Sequence, residues 1–543
     1  MSELDNIEFW NIPYHWVAIT LSDLGKGDNA IVDGPFGSNL KTSDYIKDSE
    51  NGVPVLTTKN LAGDYSESSV RYISKDKYEK LKRSEVKPGD ILVAKIGSIG
   101  KTGVYPQRKK TAIIPANLLK FTVTDNVCFG YVYNYLNYFA FQRFIKNIAT
   151  ATAQPAFNVT KFRLLPIPLP PLNEQHRIVA KIEELFSELD KGIENLKTAR
   201  DQLKVYRQAL LKHAFEGKLT EQWRKENADK LETADQLLVR IQQEREARYQ
   251  QQLDEWDEAV KCWETEGKEW RKPAKPKKIK IIELDGSEIK DFSILNENWA
   301  YCSLGNLIDD PKYGTSKKCN YDLGGTGVLR IPNIVSGRID SSDLKFAKFD
   351  TSELADYQLE KGNILIIRSN GSISIVGKVA LIEEKDTDFI YAGYLIKLRP
   401  NSKIINPKLL LFLLQAHFLR KQIEYKAKST SGVNNINSGE LQSLIVPIMR
   451  TDEQEVIVNE LDEKFLVIAE SQKDIEINLK RSQALRQSIL KKAFSGQLVS
   501  QDPNDEPASE LLKRIAAEKA ALQMQNKAAN QRTKPAKIRS KTC

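Results

Sequence analysis

Two glycine-rich turns, each ending in lysine, are the segments of this 543-residue chain whose residue types most suggest chemistry. Gly97-Ser98-Ile99-Gly100-Lys101-Thr102 has the composition of a phosphate-binding loop, but that loop needs glycine at position 95, where Lys95 stands. Gly371-Ser372-Ile373-Ser374-Ile375-Val376-Gly377-Lys378 misses the same spacing by one residue and runs on into Val379. Neither is expected to hold a nucleotide. His15, His176, His213 and His417 have no helical His-x-x-x-His partner, and Cys128, Cys262, Cys302, Cys319 and Cys543 form no Cys-x-x-Cys pair. No Asn-Pro-Pro-aromatic or Asp-Pro-Pro-Tyr segment is present, and no glycine-rich cofactor turn. The expectation is a chain with no catalytic, cofactor-binding or metal-binding residues.

What remains is chemistry suited to reading. Basic and amide side chains gather near the two turns: Lys95, Ser98, Lys101, Arg108 and Lys109 in the first half, and Arg330, Asn333, Arg368, Asn370, Ser372 and Lys378 in the second. Arginine and lysine suit guanine edges and phosphates, asparagine suits adenine, and a hairpin loop fits a major groove. These residues are the expected DNA-binding set; solvated loop charge is the plainer alternative for any one of them. The net charge of +9 points only weakly to a polyanionic partner.

The elements that must position these side chains occur twice. Ile167-Pro-Leu-Pro-Pro-Leu-Asn-Glu-Gln-His-Arg-Ile-Val179 returns without a gap as Val446-Pro-Ile-Met-Arg-Thr-Asp-Glu-Gln-Glu-Val-Ile-Val458, an offset of 279. At the same offset Arg207 to Leu219 faces Arg486 to Leu498 with 8 identities in 13 positions. His15-Trp16 answers Asn298-Trp299, and Pro88-Gly-Asp-Ile-Leu92 answers Lys361-Gly-Asn-Ile-Leu365. Between these landmarks the copies share little, which suggests one scaffold presenting two different recognition surfaces.

Each lead-in is followed by a long helix. Ile178, Ile182, Leu185, Leu189, Gly192, Leu196, Ala199, Leu203, Tyr206 and Leu210 alternate by four and three residues, a coiled-coil register. In the second copy Ile457, Leu461, Ile468, Ile475, Leu485 and Ile489 hold the seam, while Lys464, Ser471, Asn478 and Ser482 interrupt it, so it reads as the weaker stripe. Asn173 and Asp452 are the expected N-caps, with Glu455 completing a capping box, and Gly217 and Gly496 the expected terminators. Chain order makes the pair antiparallel. A helix from about 173 to 216 rises about 1.5 Å per residue and spans on the order of 60 Å, one and a half to two turns of duplex.

The expected fold class is α+β: two α/β recognition domains with β-rich cores, separated by an antiparallel coiled coil in a pseudo-two-fold tandem repeat. The expected division is residues 1–170, a first recognition domain; 171–217, a long helix; 218–293, a charged helical extension and basic linker; 294–446, a second recognition domain; 447–497, a second long helix; and 498–543, a short helix and a basic, disordered tail. The apolar fraction of 41% fills several cores, and no apolar run approaches the roughly 20 residues of a membrane span, so the expected setting is cytoplasmic. Within the extension, Tyr249, Trp256, Trp263 and Trp270 recur every seventh residue as a stripe for docking a partner, for DNA, or for packing on the chain's own elements. Lys268, Arg271, Lys272, Lys275, Lys277, Lys278 and Lys280 then form a linker that reads as a solvated tether.

Taken together, these residues resemble the specificity (S) subunits of type I restriction-modification systems. The likeness rests on the tandem plan, on Pro168 to Gln175 with its copy Pro447 to Gln454, on Gly89-Asp-Ile-Leu92 and Gly97 to Lys101, and on Leu211 to Gly217 with Leu490 to Gly496. The resemblance implies a chain without an active site, in a bacterial or archaeal cytoplasm. It implies double-stranded DNA as ligand and two modification (M) subunits that methylate adenine with S-adenosylmethionine. It further implies restriction (R) subunits that use ATP and Mg, the cofactors all sitting on partners. The implied target is asymmetric and bipartite, each domain reading one half and the helices setting the spacer. The alternative is a freestanding double-headed DNA-binding architectural protein without a modification partner.

Overall fold

The computed structural model describes residues 12–35, 39–47, 50–61, 70–107, 111–149, 155–267, 272–276, 278, 281–285, 288–289, 297–321, 324–428 and 432–532. Contacts gather the chain into two compact units, Met1–Lys197 with Glu476–Cys543, and Thr198–Ile475. Each holds one recognition domain and part of both long helices.

In the first unit, strand Val17–Thr20 pairs antiparallel with Pro166–Leu169, tying the start of the domain to its exit. A four-stranded sheet follows in the order Ile31–Asp33, Leu118–Phe121, Ile91–Ala94, Thr102–Val104. Ile91-Leu-Val-Ala94 is buried at every position, which is why it reads as a continuous apolar run and not as an alternation. A five-stranded sheet packs beside it, and helices Phe129–Leu136 and Phe139–Ile148 cover the first sheet with Tyr131, Tyr135, Phe141 and Ile145.

The second unit repeats this frame. Ala300–Ser303 pairs with Ile445–Ile448, and the four-stranded order is Lys312–Tyr313, Leu395–Leu398, Ile364–Ile367, Val379–Leu381. The glycines at the end of the first edge strand show how close the copies are. A Cβ on Gly34 would collide with the backbone of Ile114 and Pro115, and one on Gly314 with that of Tyr391 and Ala392. The expected hairpins after both central strands are present, Val93 pairing with Thr102 and Ile366 with Val379.

Both long helices have 44 residues, Leu172–Phe215 and Thr451–Phe494. Asn173 and Asp452 are not the caps. Leu172 and Thr451 are already helical, so both polar residues fall inside the first turn. The next two residues explain the repeated Glu-Gln instead. Glu174 Oε2 accepts the Trp16 indole N–H at 2.9 Å, and Glu453 Oε2 accepts that of Trp299 at 2.9 Å. Gln175 donates to Pro170 O and accepts from the Cys128 amide; Gln454 donates to Met449 O and accepts from the Asn406 amide. All four side chains are buried. Gly217 and Gly496 do end the helices, at φ of 75° and 72°, with Lys218 N bonding His213 O and Gln497 N bonding Lys492 O.

Within each unit the helical stretches run antiparallel. Ile178, Val179 and Ile182 share a core with Ile489, Leu490, Ala493 and Phe494 in the first. Leu210, Leu211 and Ala214 share one with Ile457, Val458, Leu461, Phe465 and Ile468 in the second. Burial along the two seams does not follow the expected contrast in strength. Ile178, Ile182 and Leu210 of the first seam are buried, as are Ile457, Leu461, Ile468, Ile475 and Ile489 of the second; Leu185, Leu189, Leu196 and Leu203 are half-buried, and Tyr206 and Leu485 about half exposed. Each helix packs on its own domain as well as on the other helix, which periodicity does not reveal.

A shorter helix then covers each domain. Ala234–Thr265 lies on the second, burying Leu237, Ile241 and Arg245, whose Nη1 donates to Ile308 O at 2.6 Å. Ala508–Arg532 lies on the first, burying Leu511 and Ile515, with Lys519 donating to Ser22 O at 2.9 Å. The described part of the linker, residues 272–276 and 278, keeps its lysines exposed but is not a free tether. It returns along the aromatic stripe, with Lys278 over Tyr249, Lys275 over Trp256 and Lys272 over Trp263, each 5.4–5.7 Å from the ring centre. Lys268, Trp270, Arg271, Lys277, Lys280 and the tail beyond Arg532 lie outside the described residues.

Candidate nucleic-acid interface

The repeated four-stranded sheet puts the expected reading residues on matching ground. Lys95 follows the central strand of the first domain and Arg368 that of the second; the Lys95 amide bonds Asn117 O at 2.8 Å and the Arg368 amide bonds Tyr394 O at 2.9 Å. Across the sheet, Leu119 pairs with Asp33 and Ile396 pairs with Tyr313. The two frame positions therefore hold different chemistry. Lys95 Nζ meets Asp33 Oδ2 at 2.5 Å with both side chains largely buried, while the Arg368 guanidinium lies 4.6 Å from the centre of the half-exposed Tyr313 ring.

This geometry corrects two expectations. Lys95 is an interior ion pair and not a free cation facing solvent. Asn333 is 1% exposed and donates to both Asp340 O and Asp343 O at 2.8 Å, so its amide shapes the turn after Thr326–Leu329. A buried amide has to satisfy its hydrogen bonds within the fold. Arg330 is half-buried, bonded by Nη2 to Asp343 O at 3.0 Å and set 5.8 Å from the Tyr321 ring.

Ser98 and Lys101 are exposed on the first hairpin, whose Gly97 and Gly100 take φ of 81° and 80°, a conformation that favours glycine. Gly100 O accepts from Gln142 of the covering helix at 2.8 Å, which steadies the loop base. Arg108 and Lys109 lie outside the described residues. In the second domain Ser372 and Lys378 are exposed, and Arg420 donates to Val376 O at 2.7 Å from the position matching Gln142.

Asn370 belongs to a feature the sequence reading did not find, a short antiparallel ribbon in which Ser369 pairs with Asn435 and Asn370 with Asn434. The first domain marks the same place with the bridge Ile96 to Ala156. Asn370 Oδ1 accepts the Ser372 amide at 2.9 Å, Asn434 Nδ2 donates to Gly371 O at 3.1 Å, and Asn435 Oδ1 accepts from Arg368 Nε at 3.2 Å. The run Asn434-Asn435-Ile436-Asn437, set against Pro155-Ala156-Phe157-Asn158 at the 279 offset, is the signal that could have shown it.

Lysine burial recurs beneath both surfaces. Burial lowers the Lys120 ammonium below its ordinary value, against the pull of Asp90 and Glu85. Lys397, at the matching strand position, is pushed down to about 8 by burial and then by the neighbouring Lys312.

The sequence profile described as "Type I restriction modification DNA specificity domain" matches residues 15–198 and 296–481, one match on each copy of the frame. The chain belongs to that family. Among relatives, this specificity-family chain is 22% identical to the EcoKI specificity subunit of Escherichia coli K12 over 524 residues, 94% of this chain and 97% of that one. It is 31% identical over 201 residues to a putative MjaX specificity subunit of Methanocaldococcus jannaschii, 37% of this chain and 46% of that one. Its fold is shared with a chain solved in work on complex assembly and conformational transition of the type I R-M system. That likeness has a TM-score of 0.58 at 16% identity and covers 90% of this chain and 99% of the other.

Proposed function

We propose that this chain is the DNA-reading, non-catalytic subunit of a type I restriction-modification complex. Each domain reads one half of an asymmetric bipartite site in double-stranded DNA, and the long helices set the spacing and dock two modification subunits. Adenine methylation with S-adenosylmethionine, and ATP- and Mg-dependent restriction, belong to partner subunits in this reading. The observation that carries it is the pairing of one frame with two unlike surfaces. Two family matches fall on two sheets of the same strand order, while the matching positions hold Lys95 with Asp33 in one and Arg368 with Tyr313 in the other. A common frame with different side chains is what two different half-sites require.

The spacing role rests on the two uninterrupted 44-residue helices. A four-residue insertion beside Leu196 lengthens a helix by about 6 Å, nearly two base pairs, and turns one half-site by roughly 70°. Mapping methylated adenines in cells carrying the altered chain is expected to show a longer spacer between unchanged half-sites. An unchanged spacer contradicts the reading. Size-exclusion chromatography with the modification subunits separates it from a freestanding double-headed DNA binder, which forms no such complex.

A further inference from the structure

The ribbon of the second domain holds two side chains whose hydrogen-bonding capacity is only partly used. Arg368 leaves the buried central strand and is fixed at two points. Its guanidinium stacks on Tyr313 at 4.6 Å, and its Nε donates to Asn435 Oδ1 at 3.2 Å. Tyr313 is itself anchored, its hydroxyl accepting the Ser438 amide at 3.0 Å. The two Nη groups of Arg368 and the Asn435 Nδ2 make no hydrogen bond among the described residues. Asn435 is exposed and Arg368 half-exposed. Asn370 and Asn434 differ, because their amides are turned to Ser372 N and Gly371 O and hold the adjoining loop.

A guanidinium fork locked by a ring and a neighbouring amide is preorganised for a planar, two-point ligand, since few rotamers are lost on binding. In the major groove the two-point ligands are guanine O6/N7 for arginine and adenine N6/N7 for asparagine. We propose that Arg368 and Asn435 act as one reading unit of the second domain. Arg368 takes the O6/N7 edge of a guanine, Asn435 takes the N6/N7 edge of an adenine in the same half-site, and Tyr313 and Asn434 position them. This deepens the proposed function and rests on it. The first domain has no equivalent unit, because the matching positions hold the buried Lys95 and the side chain of Ala156, which has no polar atom. Its half-site must be read by other groups.

The test uses the full chain in cells carrying the intact system, with methylated adenines sequenced genome-wide. Asn435→Ala is expected to relax the motif about tenfold at one A·T pair of the half-site read by the second domain. Arg368→Lys, which keeps the charge and so tolerates a phosphate role, is expected to relax it similarly at one G·C pair. The first half-site stays unchanged in both variants and serves as the internal control for folding. Retention of the full motif at unchanged stringency in both variants overturns the proposal, as does relaxation in the first half-site. If the unaltered chain yields no bipartite motif, the broader functional reading fails. A bipartite motif indifferent to both substitutions refutes the reading unit alone.

Discussion

The guanidinium of Arg207 lies 3.8 Å from the ring centre of Phe465, and Arg486, 279 positions after Arg207, lies 4.2 Å from Phe186, 279 positions before Phe465. The same contact closes the helical pair in each unit. Phe465 is buried and also meets Phe412 edge-on at 5.2 Å, whereas Phe186 is half-buried. Phe465→Ala is therefore expected to cost about 3–5 kcal/mol and Phe186→Ala clearly less, about 2 kcal/mol. Urea denaturation of the two variants compares them. Equal losses would show that the ring stacking, and not burial, dominates.

A second prediction concerns the indole-to-carboxylate anchors at the start of each helix. Glu453 accepts from Trp299 Nε1, Thr220 Oγ1 at 2.7 Å and Arg224 Nη1 at 2.6 Å, so both oxygens are engaged. Glu174 is equally buried and accepts from Trp16 and His15 through Oε2, but its Oε1 has no partner among the described residues. Val499 stands where the 279 offset calls for Thr220. Val499→Thr should stabilise the protein by about 1 kcal/mol by supplying the missing donor. Glu453→Ala should cost about 3–5 kcal/mol, because the Arg224 charge is left uncompensated. Thermal unfolding measures both; a Val499→Thr variant that melts no higher than the unaltered chain counts against the donor assignment.

Much of this was open to reading in the sequence, and the limits have physical causes. Repetition exposed the two domains and the helices, because identical packing demands return identical residues, as at Trp16 and Trp299. Gly217 and Gly496 were legible because a helix terminator needs a left-handed residue. The roles of Glu174 and Gln175 were not, since their partners lie more than 40 residues away along the chain or in the lead-in backbone. Lys95 looked like a reader because charge is normally solvated, and only the register placing Asp33 beside it shows otherwise. Asn435 was missed because a two-residue ribbon carries no periodic signal.

Lys95 provides a third prediction. Asp33→Ala removes the carboxylate that the buried Lys95 ammonium meets at 2.5 Å and is expected to cost about 3–5 kcal/mol. Lys95→Met/Asp33→Leu should recover most of that loss. Neither variant is expected to alter the methylated motif, and a changed base preference in either would return Lys95 to the set of readers.

The pH dependence of stability follows from Lys397. Burial first, and Lys312 second, hold it at about 8, below the ordinary lysine value of 10.5. The folded state thus binds fewer protons than the unfolded state between these values, and stability rises with pH across that window. Below pH about 8 both states are protonated, and the penalty of the buried charge is present in full. Lys397→Met should raise the urea midpoint at pH 7 and flatten its rise between pH 8 and 10.5. An unflattened rise would assign the effect to another group.

The central claim is that two domains on one repeated frame read separately. Replacing residues 1–165 with the same region of another specificity-family chain, then sequencing methylated adenines in cells carrying the intact system, tests it most directly. One half-site should change while the other half and the spacer stay as they were. A change in both halves, or in neither, contradicts the account.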